Sequence, residues 1–246
     1  MRSGQGRPCP PLPLSPAKAG PTYTPGVSPV PRGTREVPLR GRAAELAAIG
    51  ARLDEVRSGV GSVILVEGRA GLGKTRLLDA CASMAAERSF RVGRGVAEPH
   101  RRAVELDVLF DALFGGGKPL LARNALSDQH ASPEQRFWLL QDIQALIEAE
   151  ALRGPLLICL DDLHLAGDGC AVAMRQLPQQ LASLPVGWVM AFRPDQGLPS
   201  VQGTKAQLEA AGAEVVRLGP TSPIDQAIDT VPRNYIRRLG TPHQDV

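Results

Sequence analysis

An α/β fold, a mainly parallel sheet covered by helices on both faces, follows from three features of this sequence. Aliphatic runs of strand length alternate with stretches of helical period between residues 43 and 218. One run, Val63-Ile64-Leu65-Val66, opens directly into the glycine-rich segment Gly68-Arg69-Ala70-Gly71-Leu72-Gly73-Lys74-Thr75. Another, Leu156-Leu157-Ile158-Cys159-Leu160, ends in the acids Asp161-Asp162. Strands buried on both faces read as near-continuous aliphatic runs, and open parallel sheets bind ligands at the C-terminal edge where such runs end.

Residues 1–37 hold nine prolines separated by Gly and Ser, a composition that cannot bury a core and predicts a disordered or polyproline II arm. Order is expected from Pro38. Leu46, Ile49, Leu53 and Val56 recur at helical spacing from Ala43 to Arg57. Gly59 and Gly61 end that helix, and a strand follows over Ser62–Glu67. Leu77, Leu78, Cys81, Met84 and Ala85 mark the buried stripe of the next helix, and Phe90 to Val96 alternates weakly as a second strand bounded by Pro99. Leu106 to Phe114 is a short helix closed by Gly115-Gly116-Gly117. Ser132-Pro133-Glu134-Gln135 is a capping box with proline at the first helical position. It opens a long helix to about Leu152, with Phe137, Leu140, Ile143 and Ile147 inward. Beyond the acidic strand, a helix over Ala171–Leu181 is expected to be interrupted at Pro178. Val186–Phe192 is a buried strand, Thr204–Ala211 a final helix and Glu214–Leu218 a last strand. Residues 221–246 read as a short irregular tail.

Four cysteines, Cys9, Cys81, Cys159 and Cys170, have spacings of neither a zinc site nor a disulfide framework. Cys81 and Cys159 fall in apolar patterns and read as reduced core residues. No apolar run approaches the roughly 20 residues that cross a bilayer, and the N-terminus lacks the hydrophobic centre of a signal peptide. A cytoplasmic protein with no membrane partner is expected. The net charge is +3, yet residues 1–43 carry seven basic side chains against Glu36, which leaves the remainder at −3. The core therefore lacks the basic footprint of a nucleic-acid binder.

Gly68 to Thr75 fits the phosphate-cradling pattern G-x-x-x-x-G-K-[ST] between a strand and a helix. Its glycines let successive N–H groups point at one anion, and the helix N-terminus behind them adds its dipole. Gly68, Arg69, Ala70, Gly71, Leu72, Gly73, Lys74 and Thr75 are the candidate nucleotide-binding residues, with Lys74 reaching the β- and γ-phosphates and Thr75 holding Mg²⁺. Asp161 is the second candidate metal ligand, and Asp162 faces the γ-phosphate as a group that polarises water. An aliphatic run followed by two acids is equally a strand leaving the core, so this assignment draws its weight from the glycine loop. ATP is preferred to GTP, because no Asn/Thr-Lys-x-Asp guanine-reading segment occurs and Thr204-Lys205-Ala206-Gln207 lacks the final acid.

With these motifs placed, residues 38–220 resemble the ATP-binding domain of the large LuxR-type bacterial transcriptional regulators. These are signal-transducing STAND ATPases within the AAA-like P-loop NTPases. The stretches that carry the resemblance are Leu39-Arg40-Gly41-Arg42-Ala43-Ala44-Glu45-Leu46, Val66 through Thr75, Arg136-Phe137-Trp138-Leu139-Leu140 and Leu160-Asp161-Asp162-Leu163-His164. The resemblance implies a three-layer α/β/α fold with five strands in the order 5-1-4-3-2, the acidic strand beside the phosphate-loop strand, and Gly41-Arg42 near the adenine. It assigns Arg193 as a sensor of the γ-phosphate. An arginine snorkelling from a strand end fits the residue pattern as well. His164, just past the acids, could contact nucleotide or water, although a lone histidine after a strand more often reads as a loop residue held by a backbone hydrogen bond. Gly167 stands where that family carries Asp, with Asp168 following, and Asp162 replaces the Glu of rapid hydrolysers, which suggests slow turnover. Residues 221–246 do not resemble the family's helical lid, and the helical-repeat and helix-turn-helix regions have no counterpart, so a truncated or frameshifted relative is expected.

Two functions follow. One is Mg²⁺-dependent hydrolysis of ATP to ADP and phosphate, with Lys74, Asp162 and Arg193 as catalytic residues. The other is a switch that holds ATP or ADP and changes contacts with protein partners or with itself while hydrolysing negligibly. Direct DNA binding and small-molecule phosphorylation are not expected.

Overall fold

The computed structural model describes residues 41–102, 106–122 and 133–220, without the side chains of 133–137. The proline-rich arm, Ser132 of the capping box, the side chain of Phe137 and the tail lie outside the described residues. Five strands form one all-parallel sheet: β1 Ser62–Glu67, β2 Arg91–Val96, β3 Leu156–Asp161, β4 Val186–Phe192 and β5 Glu214–Arg217. Their spatial order is β2-β3-β4-β1-β5, the expected order read from the other edge. One expectation is corrected. The acidic strand β3 does not lie beside β1, because β4 pairs with both. β3 and β4 are both buried throughout, whereas β2 and β5 alternate with exposed or half-buried positions and occupy the edges; burial separates interior from edge strands without ordering the interior ones.

Helices α1 Ala43–Arg57 and α2 Lys74–Glu87 cover one face. Their Ile49, Leu53, Val56, Leu77, Leu78 and Cys81 pack with Ile64, Val66, Leu157, Cys159, Val189 and Ala191. The opposite face carries α3 Asp107–Phe114, α4 Pro133–Ala151, α5 Asp168–Gln180 and α6 Pro199–Ala210 over Leu65, Leu156, Ile158, Leu160, Trp188, Met190 and Phe192. Successive strand residues thus feed two separate cores, which makes the three layers. Among the described residues, no helix is long and apolar enough to cross a membrane.

Two helices differ from expectation. α5 starts at Asp168 and runs unbroken through Pro178. The proline sits in the final turn, where only one ladder bond is forfeited, and Leu181 N still donates to Leu177 O at 3.0 Å. α6 begins five residues before Thr204, with Pro199 pre-setting its first turn and Val201 buried on the same helix as Leu208. Short 3-10 turns at Pro99–Arg101 and Leu163–Leu165 were not foreseen. The departure at Gly167 has a steric basis, since a Cβ there would lie 2.6 Å from Arg102 O.

The weak alternation of β2 has a similar origin. A Cβ on Gly95 would overlap the carbonyl oxygen of Val108, and one on Gly93 that of Ala112. α3 therefore lies against β2 backbone to backbone, an approach only glycine permits. Gly95→Ala is expected to destabilise the domain by about 3 kcal/mol through overpacking, read as a lower midpoint in urea unfolding with the slope unchanged.

Candidate active site

β1, β4 and β3 end at one edge of the sheet, and each delivers a polar group there. After Glu67 the chain turns, with Gly68 N donating to Phe192 O at 3.3 Å. Gly71 and Gly73 take φ of 81° and 84°, left-handed values that curl the loop back before α2 starts at Lys74. Gly73 offers α2 no side-chain cap, so the first amides of α2 point outward as an anion cradle. Thr75 is exposed in that first turn. Lys74 is buried at 6% exposure, and its Nζ donates to Gly68 O at 2.9 Å and Arg69 O at 3.1 Å. Burial pushes its pKa down, Asp162 and Asp161 oppose that shift, and Arg193 reinforces it. Behind the loop, the Glu67 carboxylate is held by Lys205 at 2.6 Å and Arg217 at 3.4 Å.

Asp161 closes β3 with its side chain buried, and its Oδ1 accepts the Asp162 N–H at 2.8 Å. Asp162 stands in the left-handed region at φ 50°, ψ 35°, an uncommon state for a side-chain-bearing residue that requires support from its surroundings. Arg193, directly after β4, brings Nη2 to 3.9 Å from Asp162 Oδ1. Lys74, Asp161, Asp162 and Arg193 are thus gathered at one edge. Arg42 is also buried, but its guanidinium grips the protein, donating to Gly219 O at 2.5 Å and Glu45 at 2.8 Å and reaching Leu72 O at 3.5 Å.

His164 is the residue that sequence reasoning undervalued. It is not held by a backbone hydrogen bond through its ring. The 3-10 turn buries it to 3% exposure, and neither ring nitrogen has a partner among the described protein atoms. Nδ1 lies 3.8 Å from Asp162 Oδ1. Burial depresses its pKa, Arg193 and Lys74 add to the effect, and Asp162 and Asp161 oppose it. A histidine three residues after the first acid was the available signal, but burial cannot be read from a lone residue past a strand end. A separate groove of about 230 Å³, lined by Arg52, Glu55, Ser62 and Ala182 among others, meets β1 at its opposite end and touches none of these groups.

A glycine-curled loop between a central parallel strand and a helix, served by an acid-ended strand of the same sheet, defines a P-loop nucleoside triphosphatase. The chain belongs to the AAA ATPase domain family, whose model matches residues 38–189. Among solved structures it is similar to the ORC2 protein of Aeropyrum pernix in its ADPNP–ADP complexes, with TM-score 0.53, 19% identity, and 73% of this chain and 48% of that one covered. The ADP form of the same protein gives TM-score 0.56 at 15% identity, covering 87% and 57%. The likeness is one of fold, and the chain spans about half the length of these structures. No curated protein matches the sequence.

The depressed His164 pKa has a consequence for stability. Below pH 6.5 the unfolded chain protonates this ring while the folded chain resists, so stability falls as pH drops from 6.5 toward the lower folded value. His164→Leu is expected to flatten that slope in thermal unfolding between pH 7 and 5. An unchanged slope would show that the ring titrates normally.

Proposed function

We propose that residues 38–220 form an ATP-binding module with slow, Mg²⁺-dependent hydrolysis, of the kind that serves signal-transducing LuxR-type regulators in the cytoplasm. The observation that carries this reading is the convergence of buried Lys74 and Asp161 with half-buried Asp162 and Arg193 on the edge where the glycine loop opens. The site fits the substrate on three counts. The loop presents uncapped amides, Lys74 has no carboxylate within salt-bridge distance among the described residues, and the Arg193 Nε is buried without a partner among the described protein atoms. The ADPNP–ADP complexes of the A. pernix structure support a nucleotide of this class.

In this reading the loop amides and Lys74 bind the phosphates, and Lys74 gives up its own loop carbonyls to do so. Thr75 and Asp161 hold magnesium, which neutralises charge on the β- and γ-phosphate oxygens when bound. Asp162 orients the attacking water, and Arg193 stabilises charge developing on the γ-phosphate. Gly41 lies near the adenine, while Arg42 braces the loop from behind. Residues 1–37 and 221–246 are proposed as an extended arm and a tail outside the domain, with protein partners or self-association as the output.

The contact between Asp162 and Arg193 favours a second reading, a nucleotide-held switch. An acid leaning on the arginine that should meet phosphate describes a resting site, and hydrolysis then awaits a partner.

Titration with fluorescent ATP and ADP, with and without Mg²⁺, alongside phosphate release, separates the two. Lys74→Ala is expected to weaken ATP binding at least tenfold. Asp162→Asn should keep binding and lower turnover about 100-fold or more. Binding with no phosphate release from the unaltered chain leaves the switch, and binding indifferent to Lys74 overturns both.

A further inference from the structure

Asp162 Oδ1 is approached from two sides, by Arg193 Nη2 at 3.9 Å and by His164 Nδ1 at 3.8 Å, and neither distance is a hydrogen bond. The His164 ring is buried with both nitrogens unpartnered among protein atoms, and Arg193 Nε shares that condition. A packing role alone would be served better by an apolar side chain, because a buried polar group without a partner is costly. The backbone beneath the ring is fixed. Leu165 N donates to Asp162 O at 2.8 Å, and Arg102 donates to His164 O at 3.3 Å and Leu165 O at 3.0 Å. The ring can therefore change partner only by turning about its side-chain bonds.

Arg193 approaches Asp162 through Nη2 at 3.9 Å, too far for a hydrogen bond, so a γ-phosphate that takes the guanidinium draws it off a contact that is already loose. If it turns to the γ-phosphate, Asp162 is left as a half-buried carboxylate beside a more negative neighbour, in a backbone conformation that needs support. A donor already stands beside the same oxygen. We propose that His164 is a positioning residue for Asp162, whose neutral imidazole donates from Nδ1 to the Asp162 carboxylate once Arg193 leaves it, so that the nucleotide state is registered by which donor holds that oxygen. This rests on the ATP-hydrolysing reading above. No proton need be gained or lost, because the neutral ring carries one N–H and moves it to Nδ1 by tautomer choice. Burial and the two nearby cations keep the ring neutral. Nε2 is then an acceptor, free to receive a hydrogen bond from water.

The test uses the full chain and reads the histidine ring by ¹⁵N–¹H correlation without nucleotide, with ADP, and with a non-hydrolysable ATP analogue and Mg²⁺. His164→Asn, which lacks the ring, assigns the signals. The analogue is expected to move His164 to the Nδ1–H tautomer, and ADP to leave it unchanged. Arg193→Ala should show the Nδ1–H form with no nucleotide at all. In turnover, His164→Leu is expected to lower kcat roughly tenfold at unchanged KM, the loss of one hydrogen bond to a charged group. His164→Asn, whose amide N–H falls near Nδ1, should restore most of it. A ring whose tautomer is the same with ADP and the analogue overturns the inference, and so does a Leu variant as active as the unaltered chain. If His164→Leu fails to fold, the ring signals and the Asn variant still decide. Failure of the unaltered chain to bind ATP removes the underlying reading and the inference together, whereas binding with a silent His164 removes the inference alone.

Discussion

The register in which β4 is held between β1 and β3 sets the position of every group at the candidate site. Glu67 pairs with Phe192, and Leu160 pairs with Met190. The three strands therefore run out nearly level, and the residues that follow them are forced into one another's reach. Lys74 enters from the loop after β1, Arg193 from the end of β4, and Asp161 and Asp162 from the end of β3. A slip of one residue would exchange the two cores and turn these side chains to opposite faces. Two-sided burial makes such a slip prohibitive, so the same apolar packing that stabilises the sheet also fixes the chemistry.

The electrostatics of the edge are balanced and only lightly bonded. Two cations and two carboxylates share a small, partly buried volume, yet Lys74 spends its donors on its own loop carbonyls, and Arg193 and Asp162 stand 3.9 Å apart. Charges so arranged attract at close range in a medium that screens poorly, without being locked by short hydrogen bonds. A polyanion entering such a site meets groups that can be re-partnered at modest cost.

Much of this was legible in the sequence, and the exceptions have physical causes. The aliphatic runs marked β1, β3 and β4, because a strand buried on both sides must be continuously apolar, whereas β2 and β5 showed only the weaker, mixed pattern of sheet edges. The glycine loop gave the start of α2, because Gly71 and Gly73 take left-handed conformations that other residues avoid. Helix limits were less legible. Pro178 suggested a break that the last turn of α5 absorbs, and the early start of α6 was masked by its polar composition despite Pro199. The order with β4 between β1 and β3 was anticipated, and only the remark that the acidic strand lies beside β1 fails, since β3 and β4 are equally buried and burial alone does not say which of them pairs with β1. His164 illustrates the harder limit. Its burial comes from a 3-10 turn that folds the ring inward, and one residue carries no period from which that could be inferred.

Arg42 joins two places far apart in the chain: its guanidinium reaches Leu72 O in the glycine loop and Gly219 O just past β5. The contact acts as a mechanical tie. Were the loop to rearrange around phosphate, it would draw on one end of this contact, and the effect would reach Gly219, where the polypeptide leaves the sheet. Linkage makes the effect reciprocal, so tension applied from beyond β5 would alter the loop's grip on its ligand by the same free energy.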